Sequence, residues 1–310
     1  MSAHRPLRFG GGGGATATAA EFADNARRIE SLGYSTLLTP DHFEREWFAV
    51  GPALVAAASA TTTLRVGSSV YCNNFRHPAV LAREAATVDV LTDGRLEFGL
   101  GAGYYLPEYD HTGIFLPPRG ERVTRLRETL RIVHGLWSDG PFTFSGRHYT
   151  ISDMDGWPKP VQKPRPPIHV GGGGKQVLTL AAQQADIVGI IAQSADVGLH
   201  FERDTHALLA EKVEWVREAA GSRFDQIELA ALIWGVKLSD HRQTAAEELA
   251  RRWGLPVNQV LDSPYFLIGS PDAIVEQVLA LREQYSISYL NIFPDDVTAF
   301  APVVNALTGA

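Results

Sequence analysis

One cysteine, Cys72, and two methionines are all the sulfur that 310 residues carry. A disulfide scaffold is therefore excluded, and the sequence fits a reducing compartment, so a cytoplasmic location is expected. No apolar run approaches the roughly 20 residues that a membrane-spanning helix needs, which removes the transmembrane class. The stretch from Met1 to Gly14 lacks the charged-then-apolar order of a signal peptide. Basic clusters are missing too. Lys and Arg number 28 against 35 Asp and Glu, a net charge of -7. A chain that lives on phosphate-backbone contacts carries a basic face, so nucleic acid is not an expected partner. There is no His-Glu-x-x-His, no paired cysteine and no Gly-x-Ser-x-Gly. No metal site and no serine nucleophile are expected.

What remains is ordinary globular composition, 45% hydrophobic and 20% charged. Strand-like runs read at Leu7–Gly10, Ser35–Thr39, Leu64–Tyr71, Arg95–Gly99, Pro167–Gly171, Asp186–Ala192, Ile227–Val236 and Tyr289–Phe293. Several are nearly continuous in apolar residues, as strands buried on both faces are. Amphipathic helices alternate with them. Phe22, Ala26 and Ile29 share one face; so do Val123, Leu126, Leu130, Val133 and Trp137, and also Ile274, Val278, Leu281 and Tyr285. Ser270-Pro271 caps the last of these, and Asp93-Gly94 closes the helix after Pro78. Eight βα units favour one domain over residues 1–310, a (β/α)8 TIM-type barrel, over an open doubly wound sheet. Insertions are expected near 142–166, 193–206 and 253–268. The first and last of these are candidate pocket walls, with surface decoration as the alternative.

In such a barrel the chemistry sits at the C-terminal ends of the strands. After the fifth strand, Gly171-Gly172-Gly173-Gly174-Lys175 opens a helix. Bare main chain at a helix N-terminus favours an anion, and Lys175 adds charge. Gln176 stands where a nucleotide-hydrolysing loop needs Ser or Thr, so a cofactor tail is the better guest. A merely tight loop is the plain alternative. The run Gly10–Gly14 formally matches a dinucleotide fingerprint, with Asp41 as the ribose acid. In the barrel it reads instead as room for a flat ring or a substrate to approach the backbone. Asp41-His42 ends the second strand. An imidazole there can move a proton beside a reacting carbon. Neighbours in extended chain point opposite ways, so one faces the pocket while the other anchors the loop. Cys72 reads as a small core residue.

Five segments together resemble the bacterial-luciferase-like superfamily: Gly33 to Phe43, Arg76 to Ala82 running on to Arg95, Gly99 to Tyr104, Ile168 to Gly174, and Ile268 to Asp272. Within it the chain is most similar to the branch that uses the deazaflavin coenzyme F-420 (F420). The resemblance implies a barrel with insertions, a cofactor across the strand ends, hydride chemistry on a small-molecule substrate and a homodimer. It also implies a cis peptide at Ser69 and Val70 and a phosphate cradle at Gly172, Gly173 and Gly174, with Gly171 and Lys175 beside it. Ala102 and Gly103 would lie against the cofactor, Asn73 and Asp41 near it, and His42 would handle the proton. Tyr104 departs from the pattern. It stands where sugar-phosphate dehydrogenases of this branch carry an acid, so sugar-phosphate oxidation is in doubt and Tyr104 becomes the second catalytic candidate. Trp47 is expected to wall the pocket. FMN with oxygen chemistry is the alternative cofactor, and a barrel that binds without catalysis is the alternative class.

Overall fold

The computed structural model describes residues 5–308 except 17, 44–45, 196–197 and 201–203. Eight parallel strands close on themselves: Arg8–Gly12, Thr36–Thr39, Arg65–Ser68, Leu96–Gly101, Ile168–Gly172, Ile187–Ile190, Glu228–Ile233 and Ile287–Ile292. Each pairs with the next in sequence. The ring closes where Arg8–Gly11 pairs with Tyr289–Ile292. This is the expected TIM-type barrel, and it removes the open-sheet, dinucleotide-fold reading. The second strand, Thr-Leu-Leu-Thr, is buried at all four positions, as its lack of alternation implied.

The helices wrap the barrel with the faces their period predicts. Phe22, Ala26 and Ile29 are buried on Ala19–Ser31, a helix that starts with a Thr18–Glu21 capping box. Leu126, Leu130 and Val133 are fully buried on Arg119–Trp137. Removing one such side chain from water contributes about 1.5–3 kcal/mol. Ser270 caps Pro271–Tyr285, accepting from the Ala273 N–H. No described helix is long and apolar enough to cross a membrane.

Two strands differ from the sequence reading. The third is broken: after Ser68 a cis peptide joins Ser69 to Val70, and Tyr71–Cys72 then pairs with Leu100–Gly101. The seventh leaves the barrel at Trp234, whose N–H donates to Tyr265 O, and Gly235–Leu238 pairs instead with Phe266–Gly269. Residues 253–268 are thus a helix, Val257–Asp262, followed by a strand, and not an irregular connection. Phe142–Ser145 and Thr150–Met154 form the expected hairpin. It is held by the Glu128 carboxylate, which accepts the Arg147, His148 and Tyr149 N–H groups, and no residue of 142–166 borders the cavity at the strand ends. That insertion is not a pocket wall. In the 193–206 insertion, Gln193–Ala195 and Gly198–His200 pair antiparallel, while 196–197 and 201–203 lie outside the described residues.

The opposite end of the barrel is closed by charge. Glu97, almost wholly buried, accepts from Arg8 at 2.6 Å, Arg65 at 2.9 Å and Tyr289 Oη at 3.2 Å. Burial opposes its charge, but the two guanidiniums outweigh it and hold the carboxyl below its usual range. Ligands therefore enter from the C-terminal mouth.

Candidate functional site

At that mouth lie two adjoining compartments of about 420 and 410 Å³. Strands four to eight contribute residues to the first compartment, joined by the segments that follow strands two and three; the second adds Gly12 of strand one and Leu38 of strand two. His42, Ser69, Tyr104, Glu108, Trp234 and Asn291 border both, so the junction between them is where two bound molecules would meet.

His42 stands at this junction. Its Nδ1 lies 2.9 Å from each oxygen of Glu108. The same carboxylate accepts the Phe43 N–H at 2.8 Å. A carboxylate only accepts, so Nδ1 carries the hydrogen and Nε2 of the neutral ring carries the lone pair. Glu108 is buried, at 2% exposure of its side chain, on the short helix Leu106–Thr112. The arrangement of carboxylate, imidazole and open ring nitrogen is that of an oriented proton carrier.

Asp41 points the other way. Its oxygens take Arg76 at 2.6 and 3.1 Å and the Cys72 N–H at 2.9 Å. It edges the first compartment but anchors the loop after the third strand, the division of labour that alternation predicted. Tyr104 borders both compartments with its ring 6.4 Å from that of His42. Burial, with Glu108 and Tyr105 adding to it, pushes its phenol up to about 12, so it keeps its proton at neutral pH.

Bare main chain surrounds the far end of the first compartment. Gly171, Gly172, Gly173, Gly174 and Lys175 all border it, and the helix Lys175–Gln184 begins there with no side-chain cap. Its first N–H groups have no partner within the helix. A Cβ on Gly173 would lie 2.5 Å from Ala192 O, so glycine is needed there for the 191–192 segment to pack against the cradle. That segment is pinned in turn: Lys212 Nζ donates to Ile191 O at 2.9 Å and to buried Asp204 at 2.8 Å. Lys175 reaches over Trp215, 5.6 Å from its ring centroid. Ser69, Val70, Ala102 and Gly103 line the same compartment, and a Cβ on Gly101 would lie 2.6 Å from Val70 Cγ2.

Asn73 is buried but does not border either compartment; its neighbour Asn74 instead ties Ala102 O to Tyr109 Oη. Of the Gly10–Gly14 run, Gly12 borders the second compartment and none borders the first. A Cβ on Gly10 would lie 2.6 Å from Leu38 and 2.9 Å from Asn291 Oδ1, and one on Gly12 2.6 Å from Pro294, so the protein's own side chains fill that space. Cys72 is a core thiol, pushed up to about 11 by burial. Trp47 lines the second compartment.

The residues that reading the chain missed are Glu108, His169, Asn291, Trp234 and Phe293, whereas Trp253, at the start of the expected 253–268 wall, does border the second compartment. The Pro107 at a helix start, with an acid next to it, was the only local signal for Glu108. Fully buried His169 is held down at about 4, chiefly by burial, and is neutral. Asn291 Oδ1 is buried with no hydrogen-bond partner in the structure.

The sequence profile described as luciferase-like monooxygenase matches residues 4–264. The F420-dependent glucose-6-phosphate dehydrogenase of Microbacterium testaceum is 31% identical over 263 residues, 80% of this chain and 73% of that protein. The FMNH(2)-dependent dimethylsulfone monooxygenase of Pseudomonas fluorescens is 26% identical over 287 residues, 83% of this chain and 77% of that protein. Among solved structures, an F420-dependent secondary alcohol dehydrogenase in complex with an F420-acetone adduct superposes with a TM-score of 0.78 at 19% identity, covering 98% of this chain and 99% of that one.

Proposed function

Because the chain belongs to the luciferase-like monooxygenase family, we propose that it is an F420-dependent oxidoreductase that moves a hydride to or from a small organic substrate, with His42 handling the proton. The observation that carries this reading is the His42–Glu108 contact at the joint between the compartments. A proton carrier belongs where a substrate oxygen meets a redox ring.

The first compartment suits the cofactor. Its cradle is glycine at 171–174, its helix end is uncapped, and Arg119, Arg122 and Lys175 border it. An anionic tail fits that chemistry. Ser69, Val70, Ala102 and Gly103 would hold the ring end. When bound, the deazaflavin supplies the two-electron donor or acceptor for the hydride.

The protein's own groups do the rest. Glu108 fixes the His42 tautomer and offsets the charge that the ring gains when Nε2 takes a proton from a substrate hydroxyl. In the reverse direction the imidazolium returns that proton to a carbonyl oxygen. Tyr104, kept protonated, donates a hydrogen bond. The aromatic walls keep water from the reacting carbon.

The test is His42→Ala. Turnover of F420 with a panel of alcohols and ketones falls about 10²–10⁴-fold, while F420 titration of the apo-protein gives an unchanged Kd. Wild-type turnover in the variant defeats the role of His42. Tight FMN binding with no F420 binding favours the oxygen-using alternative.

A further inference from the structure

We propose that the second compartment selects an uncharged, largely apolar alcohol or carbonyl compound and rejects phosphorylated sugars. This rests on the reading that the first compartment holds the cofactor.

The two compartments differ in charge. Arg119, Arg122 and Lys175 border the first; among the described residues, no lysine or arginine borders the second. Its walls are Leu38, Trp47, Tyr105, Trp234, Trp253 and Phe293. The last two tryptophans and Phe293 form one cluster, with ring centroids 5.3 to 5.8 Å apart. Such a surface gains by covering rings and alkyl chains.

A phosphate dianion loses its hydration on entering and needs cations in return. The cation behind the aromatic cluster is Arg252, 5.5 Å from the Trp253 ring. It is held by Asp295 at 2.8 Å and Asp296 at 3.3 Å and does not border the compartment. Among the described residues, the Glu108 carboxylate does border it and repels an anion.

The polar side chains His42, Ser69, Tyr104, Tyr105, Glu108 and Asn291 all border the first compartment as well, so they lie at the junction. His42 can accept from or donate to one oxygen. Asn291 also borders the compartment, with its Oδ1 turned toward Gly10 and shielded. Gathered at that one end, they serve a single hydroxyl or carbonyl on an apolar body. A sugar brings several hydroxyls that these walls leave without partners, and each unmet group costs affinity.

The experiment titrates the full-length apo-protein and its Trp253→Leu variant with cyclohexanol, cyclohexanone, glucose and glucose 6-phosphate. Binding is read by intrinsic tryptophan fluorescence and by calorimetry, and F420 is titrated in parallel. Cyclohexanol and cyclohexanone bind at least tenfold more tightly than either sugar. Trp253→Leu weakens them several-fold with the F420 Kd unchanged. Glucose 6-phosphate binding as tightly as cyclohexanol overturns the proposal, as does Trp253→Leu with unaltered cyclohexanol binding. Cyclohexanol preference in a protein that does not bind F420 supports this assignment and defeats the cofactor reading instead.

Discussion

Gly174→Ala separates the cradle's role in binding from its role in folding. Gly174 has φ -101° and ψ 149°, extended backbone that alanine adopts without strain, and an added Cβ meets no atom within 4 Å. Alanine is a poorer N-cap than glycine, by a few tenths to about 1 kcal/mol. It also lowers the entropy of the unfolded chain, a stabilisation of about 0.4–1 kcal/mol. These nearly cancel, so the urea midpoint stays close to wild type. Binding behaves differently. If an anion rests on the 172–174 main chain, the methyl stands in its way and removes at least one charge-assisted hydrogen bond, about 2 kcal/mol. That is about 30-fold in Kd. Gly173→Ala is the contrast: its Cβ meets the Ala192 carbonyl at 2.5 Å, so it destabilises the fold itself by about 1–3 kcal/mol. Fluorescence titration with F420 and urea unfolding of both variants give the two readouts. An F420 Kd within twofold of wild type for Gly174→Ala refutes the cradle.

The remaining predictions concern protons. Glu108→Gln keeps an oxygen for the Phe43 N–H but removes the charge beside His42. A pair of unit charges about 4 Å apart at an effective dielectric of 20 interacts by about 4 kcal/mol. His42 is 37% exposed, so screening cuts this to about 2–3 kcal/mol and turnover falls about 10²-fold with cofactor affinity unchanged. Equal turnover in the variant removes Glu108 from the mechanism. For stability, His169 has a folded pKa of about 4, set by burial, with Glu97 opposing and Arg8 reinforcing. The unfolded residue titrates near 6.5. Between those values the unfolded chain binds the proton that the folded one refuses. This contribution is complete above about pH 6.5 and declines toward pH 4 by on the order of 3 kcal/mol. Urea unfolding across that range shows a slope that flattens in His169→Asn; an unchanged slope refutes the assignment.

The successes and failures of reading the chain divide by distance along it. The cradle was legible because Gly171–Gly174 and the helix it opens are contiguous. So was the opposition of Asp41 and His42, since adjacent residues in extended chain must diverge. Helix faces were legible at Phe22, Ala26 and Ile29 because a period of 3.6 is local. By contrast, Glu108 reaches His42 across 66 residues, and nothing near either marks the other. The crowding around Gly10 and Gly12 was hidden for the same reason. What crowds them is Leu38, Asn291 and Pro294, one unit away and at the far end of the chain.

Sequence alone settled the alternation of strand and helix, the class of barrel and the glycine turn that opens the helix after the fifth strand, because each depends on period, propensity or neighbours in the chain. Closure of the barrel decided the rest. It set the partner of the imidazole, the glycines' true neighbours, the exit of the seventh strand at Trp234 and, among the described residues, the placing of Arg119, Arg122 and Lys175 on one compartment. Those are relations between side chains that meet only when remote segments pack, and packing is a property of the whole chain.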